Sequence, residues 1–428
     1  MRALALLLLL LLLPISLFAA NGAADIGVGG ISKGMGGVGI ALPQDAFASA
    51  MNPAGLICVG NRVDLDLGVT AQKGSQRVYI LATGATNPER SGKDDNQALW
   101  WPGAAASLRY CDTQSVGIAV FVKNALATKV PFRLYLNPGN TVPSRFAAYT
   151  LYITPSWSWA LSSCISVGIA VNGTIQLHTN NVAFSQSDTS IAPNQPVGNF
   201  LGRNTLDVAG GTSVRGGLLY RPLRGLNVGI TAQTPPLMSK LRKYGGQWPN
   251  GAMWETPAEI GAGISYCHRD ARDGVRMSVE WLYYFWEDSL IWGNSYRESQ
   301  DDTGGFRWLT GSALGAGFGW KNQTVWKVGI SWNPWEVSWL TVRCGYNYGS
   351  VPIVGDETLL NQMAKATIQH HATLGATARI CCFEVTLYYY HGFESTVKGR
   401  GPYYVPSNST ADISNQQNTA GISVGACW

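Results

Sequence analysis

Residues 275–285 read VRMSVEWLYYF. Val275, Met277, Val279, Trp281, Tyr283 and Phe285 alternate with Arg276, Ser278, Glu280, Leu282 and Tyr284. Successive side chains of a strand point to opposite faces, so this stretch has one apolar face and one that carries an arginine and a glutamate. The period recurs elsewhere. Val63, Leu65, Leu67 and Val69 alternate with Asp64, Asp66, Gly68 and Thr70, and Trp326, Val328, Ile330 and Trp332 alternate with Lys327, Gly329, Ser331 and Asn333. A soluble sandwich produces the same local pattern. Strands this long and this numerous fit better a wall with hydrocarbon on one side and a polar interior on the other.

Working outward from that stretch, about fourteen strand segments begin near Arg62, Trp101, Ser115, Phe146, Ser166, Leu206, Gly225, Thr256, Val275, Thr324, Val337, His371, Phe383 and Thr419. Their connections alternate between tight turns, such as Asp112 to Gln114 and Cys381 to Cys382, and long polar stretches, such as Gln72 to Leu99 and Asp288 to Asn322. Short turns at one end and long loops at the other are the asymmetry of outer-membrane barrels. Ile422, Val424, Ala426 and Trp428 alternate to the last residue, a terminal aromatic of the kind that barrel-assembly machinery reads. The sequence therefore predicts an all-β chain: a transmembrane antiparallel β-barrel of about 14 strands over residues 62–428.

Composition agrees. Only 13% of residues are charged, about half the usual share, yet no stretch after Leu13 reaches the ~20 apolar residues of a membrane helix. Fifty glycines, 16 tryptophans and 18 tyrosines suit close-packed strands and interfacial belts. A formal charge of +5 without a basic run argues against a nucleic-acid partner. Residues 1–20, with Arg2, the apolar run Ala3 to Leu13, Pro14, and Ala19 with Ala20, have the layout of a secretory signal peptide. The expected destination is a Gram-negative outer membrane, in contact with its lipid.

The eight cysteines match no zinc spacing, and neither a metal nor a cofactor is expected. Cys111, Cys164, Cys267, Cys381 and Cys382 fall in or beside short turns. In an oxidising periplasm they are candidates for disulfides across neighbouring turns or to other envelope proteins. The alternative is reduced, buried thiols acting as small hydrophobes.

Residues 21–61 do not alternate. A phosphate-cradling glycine loop is a weak reading, because no strand precedes the glycines and no GK[ST] follows. A flexible tether and a plug packed into the lumen remain. The block GMGGVGIALPQDAFASAMNPAGL (residues 34–56) resembles the N-terminal hatch of the FadL/TodX family of outer-membrane transporters for long-chain fatty acids and aromatic hydrocarbons. Asn52, Pro53, Ala54 and Gly55 form the hatch motif. SRFAAYTLYITPSWSWAL, GLLYRPLRGLNVGITAQTPP, WKVGISWNPWEVSWLTVRCGYNYGSVPI and HHATLGATARICCFEVTLYYYHG are similar in kind to further family segments. The cysteines and the terminal tryptophan depart from the family pattern. The resemblance implies passive, hatch-gated uptake of hydrophobic small molecules, most readily long-chain fatty acids, through a gap in the barrel wall.

Alternation puts Glu280, Lys327 and Arg343 on the inward face at similar expected depth, leaving one positive charge for a ligand or hatch carboxylate. A ladder that only satisfies lumen charges is the competing reading. Arg133 and Arg145, the latter followed by Phe146, flank a loop whose counterpart in the resembled family helps to capture ligand; a solvated loop is the plain alternative. None of the five histidines sits in a nucleophile motif, so no enzyme is expected. A general diffusion porin or a surface adhesin is the competing function.

Overall fold

The computed structural model describes residues 21–80, 90–94, 98–130, 144–181, 205–268, 274–299, 308, 311–334, 337–400 and 409–428. Among them run β1 Arg62–Ile80, β2 Arg90–Lys93, β3 Ala98–Cys111, β4 Gln114–Val130, β5 Ser144–Ala160, β6 Ile165–Asn180, β7 Asp207–Leu223 and β8 Leu226–Gln233. They continue with β9 Leu237–Met238, β10 Glu259–Cys267, β11 Val275–Tyr284, β12 Gln323–Trp332, β13 Leu340–Gly349, β14 His370–Ile380, β15 Phe383–Val397 and β16 Ser409–Cys427. Fourteen of these are antiparallel staves, each paired with its neighbours in sequence order; β2 is a flap on β1, and β9 a flap on β7. Pairing of β1 with β16, from Arg62↔Cys427 to Ile80↔Ser409, closes the ring. Closure removes the sheet edges that a bilayer cannot satisfy.

Side chains sort by parity as the sequence predicts. Leu65, Leu67, Ile264, Trp326, Leu374 and Leu387 are exposed on the outside, while Asp64, Asp66, Ser278, Glu280 and Lys327 are buried inside. Among the described residues no helix is long and apolar enough to cross a membrane. The tight turns that join β3 to β4, β5 to β6, β7 to β8 and β14 to β15 share one rim with Arg62 and Trp428. The five turn cysteines lie on or near this rim, and all eight cysteines of the chain are free thiols.

Two sequence-based boundaries need correction. The last strand starts at Ser409 rather than near Thr419, and β1 runs on to Ile80 rather than ending near Thr70. The added residues (AQKGSQRVYI and STADISNQQN) are mostly polar on both faces, since beyond the bilayer nothing demands an apolar outside, but backbone pairing continues. The long connections also do more than solvate. Trp248, Trp254, Trp286, Trp292, Phe318 and Trp320 from two of them pack into a fully buried aromatic cluster, Trp248 stacking on Phe318 at 5.1 Å between ring centroids. With Leu359, Leu360 and Met363 they form a roof over the outer end of the barrel. Many of the tryptophans assigned from composition to interfacial belts belong to this roof.

Candidate functional site

Residues 21–57 are almost wholly buried and bond to inward-facing side chains around the ring. Gly36 and Gly37 have φ of 72° and 81°, where side chains other than glycine's are strained. Backbone also meets backbone there: a Cβ on Gly345 of β13 would lie 2.3 Å from Gly36 N. Glycine is thus required on both partners. The turn aims three successive amides at β11, and the Glu280 carboxylate accepts from Gly39, Ile40 and Ala41 N–H at 2.8–3.1 Å. Lys327, directly opposite Glu280 in register, donates from Nζ to the Gly37 carbonyl at 3.0 Å. Both charges, read from the sequence as ligand or ladder groups, hold the N-terminal segment.

Arg343 lies elsewhere. Lys327 pairs with Asn347, whereas Arg343 pairs with Ser331, four residues nearer the short-turn rim. The sequence places a tight turn at Asn333 to Glu336, but the first pair of that hairpin is Trp332↔Val342, so the connection is longer and the depths do not match. Arg343 donates to Thr377 Oγ1 at 2.5 Å.

The Asn-Pro-Ala-Gly motif is a second anchor. Asn52 Oδ1 accepts from Ala54 N–H at 3.2 Å and caps the 3-10 turn Pro53–Cys58, with Pro53 at a position that needs no amide hydrogen. Asn52 Nδ2 donates to the carbonyls of Ile40 (2.8 Å) and of Leu218 on β7 (3.1 Å). The Ala54 carbonyl accepts hydroxyls from Ser158 on β5 and Ser166 on β6. Gly55 packs against Pro43 and Ala48.

Three charge clusters escaped the sequence reading. Lys33 Nζ sits 3.1 Å from Asp25 and 3.0 Å from Asp66 of β1. Burial pulls its pKa down, but Asp25 and Asp66 outweigh that and hold it well above the ordinary lysine value. Arg62 bridges Asp64 and Glu384, and the Asp64 carboxylate accepts the Ala46 N–H. Glu259 of β10 bonds Lys123 at 2.6 Å and also Arg215, whose guanidinium reaches the Met51 carbonyl. The strand members of these clusters signalled themselves only as polar residues at inward parity, and Lys33 and Asp25, off the strands, had no such signal; which cation meets which carboxylate depends on contacts between distant segments.

The wall is incomplete between β3 and β4. β3 pairs with β4 only from Cys111↔Gln114 up to Gly103↔Phe121. Above that point β3 continues to Ala98 beside β1, and β4 continues to Val130 beside β5. A bulge in β4 between Val122 and Asn124 sits where the two part. The start of the described chain occupies the break: Ala125 N–H donates to the Ala23 carbonyl at 3.1 Å, and Ala24 forms an isolated antiparallel bridge with Asn124. Here the N-terminal segment covers part of a strand edge that hydrocarbon could not satisfy.

A small cavity of about 50 Å³ lies at this break, lined on one side by Leu99, Trp101, Leu126 and Ile368. Its other side is polar, with Asn21, Asp94, Lys365, His371 and Gln417. Lys365 bonds Asp94; burial lowers its pKa and Asp94 opposes that. Asn21 Oδ1, Asp94 Oδ1 and His371 Nδ1 are buried without a hydrogen-bond partner, so the cavity offers unsatisfied polar groups beside an apolar wall.

The loop candidates separate. Phe146 points into the lumen and packs edge-on against Trp248 and Phe318 of the roof, whereas Arg145 is exposed on the outer face. Arg133 lies outside the described residues.

No protein-family model and no curated protein matches the chain. Solved structures do. The toluene transporter TodX of P. putida is 15% identical over 94% of this chain and 99% of its own, with a TM-score of 0.63. The toluene transporter TbuX of Ralstonia pickettii is 16% identical over the same shares, at 0.63. A Pseudomonas aeruginosa FadL homologue is 13% identical over 96% of this chain and 99% of its own, at 0.64. Identities this low speak for the fold. In its fold, a closed antiparallel barrel of fourteen staves, the chain is of the FadL/TodX type that its N-terminal glycine and Asn-Pro-Ala-Gly block resembles.

Proposed function

We propose that the chain is a passive outer-membrane channel for hydrophobic small molecules, with long-chain fatty acids as cargo. Cargo is captured by the loops at the outer end, enters the cavity, and leaves sideways between β3 and β4 when residues 21–25 withdraw. One observation carries this reading: the hydrogen-bond ladder stops at Gly103↔Phe121, and the cavity and the N-terminal residues meet in that break. An apolar chain gains about 0.8 kcal/mol for each CH₂ it buries, so a path along the apolar side of the cavity into lipid needs no energy source. A water-filled pore provides no such path. The solved relatives in fold that are named toluene transporters and a FadL homologue are consistent with it.

The mixed lining favours a cargo with an apolar body and a polar end. Because Lys327 is engaged by Gly37, the carboxylate role passes to Lys365, whose charge at the cavity is shared with Asp94. Loss of a charge-assisted hydrogen bond costs ~1.5–3 kcal/mol. Lys365→Met is therefore expected to weaken palmitate binding by roughly ten- to a hundredfold and to leave hexadecane binding nearly unchanged. Equal losses for both would remove the fatty-acid assignment and leave a channel for neutral hydrocarbons. Cys111, Cys381 and Cys382, exposed on the inner rim, are the thiols available for a bond to another envelope protein, which a thiol-sensitive mobility shift on a non-reducing gel would reveal.

A further inference from the structure

The ion pairs at and behind the cavity do not balance. Asp25 lines the cavity, and its carboxylate accepts the Tyr390 hydroxyl and the Ile26 N–H, the latter at 2.8 Å. It also lies 3.1 Å from Lys33 Nζ, which has Asp66 of β1 at 3.0 Å as a second partner. Lys33 stands over the rings of Trp101, a cavity-lining residue, and Tyr388, at 5.9 and 5.5 Å from their centroids. On the cavity itself Lys365 is paired with Asp94. These pairs set two ammonium groups against three carboxylates, all on side chains with little exposure. Away from water an excess carboxylate is costly.

Asp25 also stands at a joint in the chain. Before it, Ala23 and Ala24 meet β4 through the Ala125 amide and the bridge to Asn124. After it, Gly36 to Ala41 are fixed to Thr373, Lys327 and Glu280 on the wall. The Asp25 side chain ties the residues over the break to Lys33 and to Tyr390 of β15. Withdrawal of residues 21–25 takes one carboxylate away and leaves both lysines paired, Lys33 with Asp66 and Lys365 with Asp94. The closed arrangement therefore carries an excess negative charge that the open one lacks. A carboxylate that enters beside Lys365 while Asp25 is in place adds a second excess charge within a small cavity. Such a ligand binds the open arrangement more tightly, and a ligand shifts an equilibrium only by that difference. A neutral chain of the same length meets none.

We infer that Asp25 is the latch of the N-terminal segment and the residue through which the charge of the cargo releases it. A carboxylate seated at Lys365 repels Asp25 and drives residues 21–25 from the β3–β4 break; an uncharged chain does not. Asp25 is a positioning residue that makes opening selective for anionic amphiphiles. The inference rests on the proposed route through the break and on a carboxylate at Lys365, and adds what decides when that route is open.

The test is hydrogen-exchange mass spectrometry of the full-length protein in detergent, read at residues 22–25 and at the Ala125 amide. Palmitate, hexadecanol and hexadecane are the ligands, with occupancy verified by native mass spectrometry. Bound palmitate is expected to speed exchange of the wild type about tenfold, and bound hexadecanol or hexadecane to leave it unchanged. Asp25→Asn, which keeps the shape and loses the charge, should exchange faster without ligand and gain nothing from palmitate. Asp25→Glu should restore the response to palmitate. Heat-modifiable gel migration establishes that each variant remains a folded barrel. Equal acceleration by palmitate and hexadecanol, or a full palmitate response in folded Asp25→Asn, would overturn the inference. So would palmitate bound to the wild type without any change in exchange, and that result would leave the fatty-acid reading standing. Failure of the wild type to bind palmitate at all would remove both.

Discussion

Glu280 receives three consecutive amides from a segment more than two hundred residues earlier in the chain. Removing one side of a buried charged pair costs ~3–5 kcal/mol because the other side is left uncompensated. Glu280→Ala is therefore expected to speed amide exchange strongly at residues 38–42, read by hydrogen-exchange mass spectrometry. Outward-facing Val279→Ala should leave those amides alone, and unchanged exchange in Glu280→Ala would contradict the anchoring role. In the roof, Glu357 accepts the Tyr296 N–H at 3.0 Å and the Ser295 hydroxyl, and burial pushes its pKa from 4.5 up to about 7. The folded roof then keeps a proton that the unfolded chain releases, so this contribution is full below about 4.5 and declines as pH rises to about 7. Thermal melts of the wild type and Glu357→Gln, followed by tryptophan fluorescence from pH 4 to 8, should show the wild type losing stability relative to the variant across that window; parallel melts would refute it. Alternation alone made the inward direction of Glu280, Lys327 and Arg343 legible. Their partners were not, because a bond between residues 39 and 280 has no local signature, and the depth of Arg343 was misread because the β12–β13 connection is longer than its Asn-Pro suggests.

At the scale of elements, β3 and β4 matter most. Their staves were readable from the sequence, but their separation was not, since WWPGAAAS and AVFVKNALA look like ordinary strand residues. Only the register, with the bulge beyond Val122, marks the break. The ends of β1 and β16 were hidden for the opposite reason: pairing continued where the apolar pattern had stopped. The N-terminal element has a firm half and an edge half. Asn52 and Ala54 tie its later part to β5, β6 and β7, whereas Ala23 and Ala24 hold β4 through few backbone bonds. Asn52→Ala, which loses the cap and two carbonyl contacts, is expected to lower stability by ~1–3 kcal/mol, measured as a lower melting temperature of the folded barrel. No change in melting would show that the motif does not anchor the segment.

For the whole molecule, a wall with an apolar outside, a filled lumen and a roof of buried tryptophans distinguishes this chain from an open pore. Planar bilayers holding the protein should show little steady conductance, and deletion of residues 21–57 should produce large, continuous currents. High conductance in the intact chain would instead favour a general porin. The barrel class and strand number were legible because each stave had to satisfy lipid and lumen separately, which writes a period of two into the sequence. The roof was not, because its apolar residues come from loops without any period. The most direct measurement concerns the break in the wall. Ala24→Cys with Asn124→Cys, in a chain whose other cysteines are serine, places two thiols across a single β-bridge, within the span a disulfide accepts. The oxidised protein is expected to take up no palmitate into liposomes or cells, and reduction should restore uptake; full uptake with the bond verifiably formed would contradict sideways release between β3 and β4.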